Sequence, residues 1–305
     1  METNDFMEGV KRLPLVRIIR KSNIGIIIWL IFNIIILELL FGNDPTTHPF
    51  IAFMRPIILY GISLVIALSP IGEAILRLQV GAKKIRRKEH VERLKPLWEE
   101  VYSQAKQKDP SLSDNIKLFM SNNQAMNAFA TGQQTIVVHK GLLKLSDEHI
   151  KATLAHEFGH ISNKDTDIIL VVGVGNLIIS AIFIIYQIFA AIVAIVFGLM
   201  GEYRELISTI LINIILAGAM WLWTKIGLLC VNNSMRANEF LADQFAFKLG
   251  YGNELIETLD IIDSNSEEME EKGLFAALMS THPDTDDRIA NLQELSGMIV
   301  EKFDY

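Results

Sequence analysis

The sequence predicts a mainly α-helical membrane protein, with four transmembrane helices and a cytoplasmic α+β part that carries a small β-sheet. Three observations lead there. Half of the 305 residues are hydrophobic and the mean hydropathy is positive, too apolar for an ordinary soluble domain. Four apolar runs approach or exceed the roughly 20 helical residues that a bilayer requires. Lys and Arg gather on one side of those runs, which orients them.

The first run is IGIIIWLIFNIIILELLF, Ile24 to Phe41. It lacks the small-residue cleavage site of a signal peptide, and GNDPTTHP after it reads as a tight external loop. The second extends from about Pro56 to Leu76, with Arg55 at its entrance and Pro70, Gly72 and Glu73 interrupting it. The third, Ile168 to Met200, has no charged residue. As a helix it would be about 50 Å long, so it is expected to tilt, bend at Gly198 or project from the membrane. The fourth, Leu206 to Val231, follows the short GEYRE connection.

Lys11, Arg12, Arg17, Arg20 and Lys21 precede the first run, and Arg77, Lys83, Lys84, Arg86, Arg87 and Lys88 follow the second. GNDPTTHP has no Lys or Arg. The positive-inside rule then puts both termini, and every polar part of useful size, in the cytoplasm of a multi-pass cell-membrane protein. The chain divides into an N-terminal tail and transmembrane hairpin (1–80), a cytoplasmic part (81–167), a second hairpin (168–231) and a second cytoplasmic part (232–305). A net charge of −7 and the lack of basic blocks interleaved with aromatics argue against nucleic acid as a partner. The juxtamembrane position of KKIRRK accounts for its charge, with the lipid bilayer as its partner. The one cysteine, Cys230, excludes an internal disulfide and a thiolate metal site.

The chemistry concentrates in ATLAHEFGHISNKD, Ala152 to Asp165. Ser146 is a suitable N-cap, with Asp147 and Glu148 in the first turn. Ile150, Leu154, Phe158 and Ile161 recur at helical spacing. His156 and His160 therefore stand one turn apart on one face, the spacing at which two imidazoles bind one ion. Glu157 projects beside them, placed to hydrogen-bond water without ligating. A hydrolytic zinc needs three protein ligands and an open position. The candidates for the third ligand are Glu239, Asp243, Asp165, Asp167 and His282. MRANEFLADQFAFKLG, Met235 to Gly250, reads as a helix with Glu239 and Asp243 four apart on one side, so that one carboxylate can bind metal while the other orients a histidine. The intervening spans form a hairpin, which returns the second helix to the side of the first.

The remaining polar segments are mostly helical. AKKIRRKEHVERLKPLWEEVYSQAKQ is an amphipathic stretch leaving the second span, expected to bend or break near Pro96. NAFATG and TIVVHKG read as two short strands joined by a Gly-Gln-Gln turn, and an edge strand there could pair with an extended substrate. His90, His139 and His149 read as structural. SNSEEMEEK reads as an acidic surface segment.

Four ordered pieces carry a family resemblance: HEFGHISNKD, NAFATG (Asn127 to Gly132), NEFLAD and HPDTDDRI (His282 to Ile289). Together they resemble the HtpX-like membrane zinc metalloproteases, relatives of the type-1 CaaX prenyl endoproteases. One departure is SMRANEF, which places Asn238 before Glu239 where the family carries an arginine. The resemblance implies a zincin-type metalloprotease domain and one Zn2+ per chain, held by His156, His160 and Glu239. Glu157 would be the general base and Asp243 would support the ligands. His282 and Arg288 would stabilise the oxyanion, and Asn127, Ala128 and Phe129 would meet the substrate. The implied activity is endopeptidase cleavage of membrane or membrane-associated proteins in quality control under stress. A narrower reading is processing of a defined peptide or lipidated tail. A scaffold or transporter is the non-enzymatic alternative, disfavoured because the spans carry few ionisable groups, chiefly Glu38 and Glu73.

Overall fold

The computed structural model describes residues 24–41, 48–265 and 285–297. Helices dominate. The elements are α1 (Ile24–Phe41), α2 (Pro49–Ala67), α3 (Pro70–Gln79), β1 (Lys83–Lys84), α4 (Lys88–Lys108), β2 (Lys117–Ser121), β3 (Ala128–Thr131), β4 (Thr135–His139), a 3-10 turn (Lys140–Lys144), α5 (Asp147–Asn163), α6 (Thr166–Met200), α7 (Tyr203–Lys248), α8 (Gly252–Ser264) and α9 (Thr285–Leu295).

Three stretches are long and apolar enough to cross a membrane: Pro49–Ala67, Phe183–Met200 and Tyr203–Gly227. These make the chain a membrane protein. Their large apolar side chains point outward, with Ile195, Ile215 and Trp221 all more than 60% exposed, an arrangement that lipid accommodates and water does not. Helix α1 is also apolar and has 18 residues. Trp29 of α1 stacks on Trp223 of α7 at 5.9 Å between ring centroids. Beside them Trp223 Nε1 donates to Asn33 Oδ1 (2.5 Å), and Asn33 Nδ2 donates to the Tyr60 hydroxyl (2.8 Å). A Cβ on Gly227 would lie 2.2 Å from Trp29 Nε1, so only glycine lets α1 approach α7 this closely.

The second apolar segment differs from its expected bounds of about 56–76. It starts at Pro49 and stops at Ala67. Pro49 occupies the first helical turn, where its missing N–H costs nothing. At the other end Ser69 Oγ accepts from Ile71 N at 3.1 Å and starts a new helix with Pro70 in its first turn. Hydropathy alone fuses α2 with α3 because α3 also carries an apolar side. The third run projects well beyond its membrane-length portion. Ile168, Leu170, Val171, Val172 and Val174 are buried in protein, whereas from Phe183 the helix is mostly exposed.

The fourth run and the NEFLAD segment form one helix rather than two. Helix α7 has 46 residues, about 69 Å at 1.5 Å per residue. No Pro or Gly lies between Leu228 and Leu249, so the backbone has no reason to stop. Pro96 likewise fails to break α4, which runs from Lys88 to Lys108. Helices α6 and α7 are joined by Gly201 and Glu202 alone, with Gly201 at φ +78°.

The sheet is mixed, in the order β1-β2-β4-β3. β1 runs antiparallel to β2, β2 parallel to β4, and β4 antiparallel to β3. β3 and β4 form the hairpin expected from NAFATG and TIVVHKG. Both faces are covered. Ala128, Ala130, Ile136 and Val138 join Leu94, Val101, Ile150, Leu154 and Phe158 of α4 and α5 in the main core. Phe119, Phe129 and Val137 point the other way, onto Leu76 of α3 and Leu170 and Val174 of α6. Every residue of β4 is therefore buried, as expected of a strand enclosed on both sides.

Candidate metal centre

Helix α5 is fixed at both ends. Ser146 caps it, its hydroxyl accepting from His149 N at 3.3 Å. Arg93 of α4 reinforces the entry by donating to Asp147 Oδ1 and to the carbonyls of Leu143 and Leu145 at 2.7–2.8 Å. At the C-terminal end Lys164 adopts the left-handed conformation, φ 62°, and turns the chain so that Asp165 folds back on the helix.

The middle of α5 crosses α7 with very little room. A Cβ on Gly159 would lie 2.8 Å from both Cα and O of Ala242. Gly159 sits between His156 and His160, and Ala242 between Glu239 and Asp243. The two smallest residues of the motifs thus meet at the crossing, and the polar pairs that flank them face one another.

The result is a buried polar cluster. One ligand atom each from His156, His160 and Glu239 lie within 4.8 Å of one another. His156 Nε2 is 3.4 Å from Glu239 Oε2 and His160 Nε2 is 3.5 Å from Oε1. The two Nε2 atoms are 3.1 Å apart. On the far side of each ring, His156 Nδ1 lies 2.8 Å from Asp243 Oδ1, and His160 Nδ1 lies 3.1 and 3.2 Å from the two oxygens of Asp165. A carboxylate opposite Nδ1 holds the proton there in the neutral ring. Each Nε2 is then a lone pair, and two such lone pairs and a carboxylate oxygen converge on one small space. A cation satisfies that arrangement. The donor set, two imidazoles and one carboxylate, is the set that zinc takes in a three-ligand site with an open position.

Without a cation, the surrounding carboxylates favour the protonated rings. Burial pushes the His156 ring pKa down, but its bonds to Asp243 and Glu239 outweigh this and the net shift is upward. His160 is likewise opposed by burial and is carried well above the ordinary value by Asp165 and then Glu239. For Asp165 burial pushes upward and exceeds the pull of His160. For Asp243 burial is overcome by Arg288 and His156, and the carboxyl stays below its usual range.

Arg288, on α9, is 4% exposed. It donates from Nε and Nη2 to the two oxygens of Asp243 (2.8 and 2.6 Å), while Nη1 is 3.1 Å from Glu239 Oε2. The guanidinium therefore braces the two carboxylates of α7. In this metal-free fold its donors face carboxylates. Glu157 is buried next to His156, and it makes no hydrogen bond or ion pair among the described residues. His282 lies outside the described residues, as does the SNSEEMEEK segment from Ser266 on. Ala128 and Phe129 are buried and Asn127 partly so. Asn127 Oδ1 accepts from Ala128 N at 2.8 Å, and the Phe129 side chain points into the core beside α3 and α6. His139 and His149 hold structural partners, Ser121 Oγ at 2.6 Å and Glu257 Oε2 at 3.1 Å.

The family model for peptidase family M48 matches residues 89–296, more than half of the chain. The chain belongs to peptidase family M48. The M48 match spans both polar parts and the α6–α7 hairpin between them. Among curated relatives, the chain is 29% identical over 189 residues to a "Protease HtpX homolog" of Bacillus licheniformis, covering 56% of this chain and 61% of that protein. It is 32% identical over 202 residues to a "Protease HtpX homolog" of Acaryochloris marina, covering 59% and 66%. It is 29% identical over 204 residues to "Protease HtpX" of Acinetobacter baylyi, covering 56% and 62%. The alignment thus spans less than two thirds of each of these three relatives. The HtpX-like resemblance carried by the four motifs agrees with these matches. A solved structure titled "Crystal Structure of S. mikatae Ste24p" aligns over 86% of this chain and 61% of its own, at 20% identity and a TM-score of 0.43.

Two features of this M48 site escape a reading of the motif. Asp165 lies behind His160, on the Nδ1 side of its ring. Its signal is the left-handed turn one residue earlier, which only the backbone reveals. Gly159 permits the helix crossing, and its signal is the small residue between the two histidines.

Proposed function

We propose that the chain is a membrane-integral zinc endopeptidase that cleaves membrane or membrane-associated proteins at the cytoplasmic face. The observation that carries this reading is the convergence of His156 Nε2, His160 Nε2 and a Glu239 oxygen, with each ring fixed from behind by Asp243 or Asp165. Membership of a peptidase family fits it.

His156, His160 and Glu239 hold the ion. A zinc ion there supplies Lewis acidity, acidifying water towards a pKa of about 7 and polarising a carbonyl. Glu157, which lies in the field of Arg288 but makes no hydrogen bond or ion pair to a described residue, accepts a proton from the attacking water and returns it to the leaving amine. Asp243 and Asp165 keep both ligand rings in one tautomer. Arg288 holds Asp243 and Glu239 in place. His282 is assigned to the oxyanion by resemblance. β3 is an edge strand packed beside α5, so its backbone, with Asn127 at its head, offers an extended peptide a pairing edge near the ion. The side chains of Ala128 and Phe129, being buried, shape that edge from within.

We further assign four spans, α1 included, with both termini and the site in the cytoplasm, on the strength of the basic residues that follow α2. Quality control of membrane proteins is the role we assign by family likeness.

The test is cleavage of an unfolded protein by the detergent-purified chain, wild type beside Glu157→Gln, with zinc content measured on both. Glu157→Gln is expected to keep about one zinc per chain and lose activity by about 10²–10⁴-fold, the span of general acid–base catalysis. A variant that cuts at the wild-type rate would overturn the assignment. Orientation is checked by labelling a cysteine placed at Asn265, in a Cys230→Ser background, with an impermeant reagent. Labelling from the outside of right-side-out vesicles contradicts a cytoplasmic site.

A further inference from the structure

A cavity of about 870 Å³ lies away from the metal centre, between α3, the β1–β2 edge and the turn of the β3–β4 hairpin. Five cationic side chains line it: Arg77, Lys83, Lys84, Arg86 and Lys117. The one carboxylate in its wall, Glu73, is already engaged. It accepts from Gln133 N (3.1 Å) and Thr135 Oγ1 (2.6 Å), and it lies 3.7 Å from Arg77 Nη1. Glu73 also fills the place that a Cβ on Gly132 would take, so it is part of the scaffold and does not offset the basic wall. Arg77 is held in turn by a bond to Thr135 Oγ1 (2.7 Å) and by stacking over Phe119 at 4.7 Å. Lys83, Lys84, Arg86 and Lys117 are exposed and form no ion pair among the described residues. An uncompensated basic concavity of this kind concentrates anions.

The setting of the cavity identifies the anion. Helix α3 begins at Pro70, with only Leu68 and Ser69 between it and the end of the Pro49–Ala67 segment. Pro70, Ala74 and Leu78 of α3 line the cavity rim. Leu78 is 81% exposed and Ile71, seven residues earlier on the same face, is 61% exposed. An exposed apolar helix face lying against a basic hollow, where a span ends, matches an interface of acyl chain and charged headgroup. A soluble acidic partner has no use for the apolar rim.

We propose that this cavity binds the phosphate-bearing headgroup of an anionic phospholipid from the leaflet in which α2 ends. Arg77 is the fixed contact, because its position is set by Glu73, Thr135 and Phe119. The four exposed cations close around the headgroup, and Ile71 and Leu78 lie along its acyl chains. The inference rests on the reading that Pro49–Ala67 crosses the bilayer, and it is independent of hydrolysis.

The test is a native mass-spectrometric titration of the full chain in detergent with dioleoylphosphatidylglycerol, and separately with dioleoylphosphatidylcholine. Lys83→Gln/Lys84→Gln/Arg86→Gln/Lys117→Gln is compared with a variant that loses the same charge elsewhere, Lys88→Gln/Lys108→Gln/Lys144→Gln/Lys248→Gln. Wild type is expected to prefer the anionic lipid. The cavity variant is expected to weaken that binding by about tenfold or more, and the control variant to keep it. Lys83→Glu and Lys117→Glu, one on each strand, are expected to weaken it singly. Equal binding by the cavity variant and wild type, or equal loss in both quadruple variants, overturns the proposal. Displacement of the lipid by millimolar inorganic phosphate also overturns it, since the ligand is then a free anion. Release of the chain from membranes by alkaline carbonate is a separate result, and it breaks the spanning reading itself.

Discussion

The two ends of α7 bury opposite things. From Tyr203 to Gly227 the helix turns its apolar side chains outward, with Ile207, Leu211 and Ile215 all more than half exposed. From Asn238 to Ala246 it buries carboxylates instead, with Glu239 at 2% and Asp243 at 0% exposure. Both ends break the rule for soluble proteins, and each is balanced differently. At the first, lipid replaces water and no partner is required. At the second, every buried charge needs a counter-charge, and Arg288, His156 and His160 supply it. Substitutions should therefore be tolerated at one end and severe at the other.

Arg288→Met carries the largest expected effect on stability. It removes the cation that faces Asp243 and Glu239 while leaving both carboxylates buried, a loss that costs about 3–5 kcal/mol. Thermal unfolding of the metal-free chain in detergent measures it. In the same assay Ile215→Ala, at the lipid-facing end, is expected to stay within about 0.5 kcal/mol of wild type. Equal destabilisation by the two would erase the contrast.

The next effect is on metal affinity. Asp243→Ala and Asp165→Ala remove the groups behind His156 and His160 without touching an ion. Each is expected to weaken zinc binding by about 10–100-fold, read by competition with a chelator of known affinity. Unchanged affinity in Asp165→Ala would mean that the left-handed turn at Lys164 serves only to end α5.

Protons sharpen the same point. His156 and His160, the proposed ligand histidines, are both shifted upward in the metal-free fold. A raised folded-state pKa contributes stability that is fully present below the unfolded value of about 6.5 and is lost as pH rises through the folded value. Zinc requires neutral rings, so it competes with those protons. Affinity should rise with pH from about 6.5 upward, and binding near pH 7 should release protons. Calorimetry in two buffers of different ionisation enthalpy counts them. No proton release at pH 7 would show that the rings are already neutral.

What the sequence discloses and what it hides divide along physical lines. The Ser146 cap, the α5 face and the β3–β4 hairpin are local, set by residues within a few positions of one another, and they are readable from spacing. The meeting of α5 with α7 is non-local, yet readable, because two adjacent long apolar runs can only fold back. The bounds of α2 are misread because hydropathy cannot separate a short helix with one apolar side from the long apolar helix before it. The unbroken α7 is missed because a change from apolar to polar composition looks like a boundary, although nothing in SMRANEF stops a helix. The bracing role of Arg288 depends on a third helix, α9, arriving from the end of the chain, and no spacing rule reports it.

The smallest expected effect lies in the membrane half, and it tests the comparison from the other side. Asn33 is 1% exposed and bonds both Tyr60 and Trp223, so Asn33→Leu leaves a hydroxyl and an indole N–H facing apolar neighbours. In water-soluble cores such orphans cost about 1–3 kcal/mol each. Between transmembrane helices a hydrogen bond contributes about 0.6 kcal/mol on average, because separated helices in lipid also find partners. Asn33→Leu should therefore cost about 1 kcal/mol or less, several-fold below Arg288→Met in the same unfolding assay. A cost as large as that of Arg288→Met would place the Asn33 cluster under the same rule as the metal centre, and the two ends of α7 would then differ in composition alone.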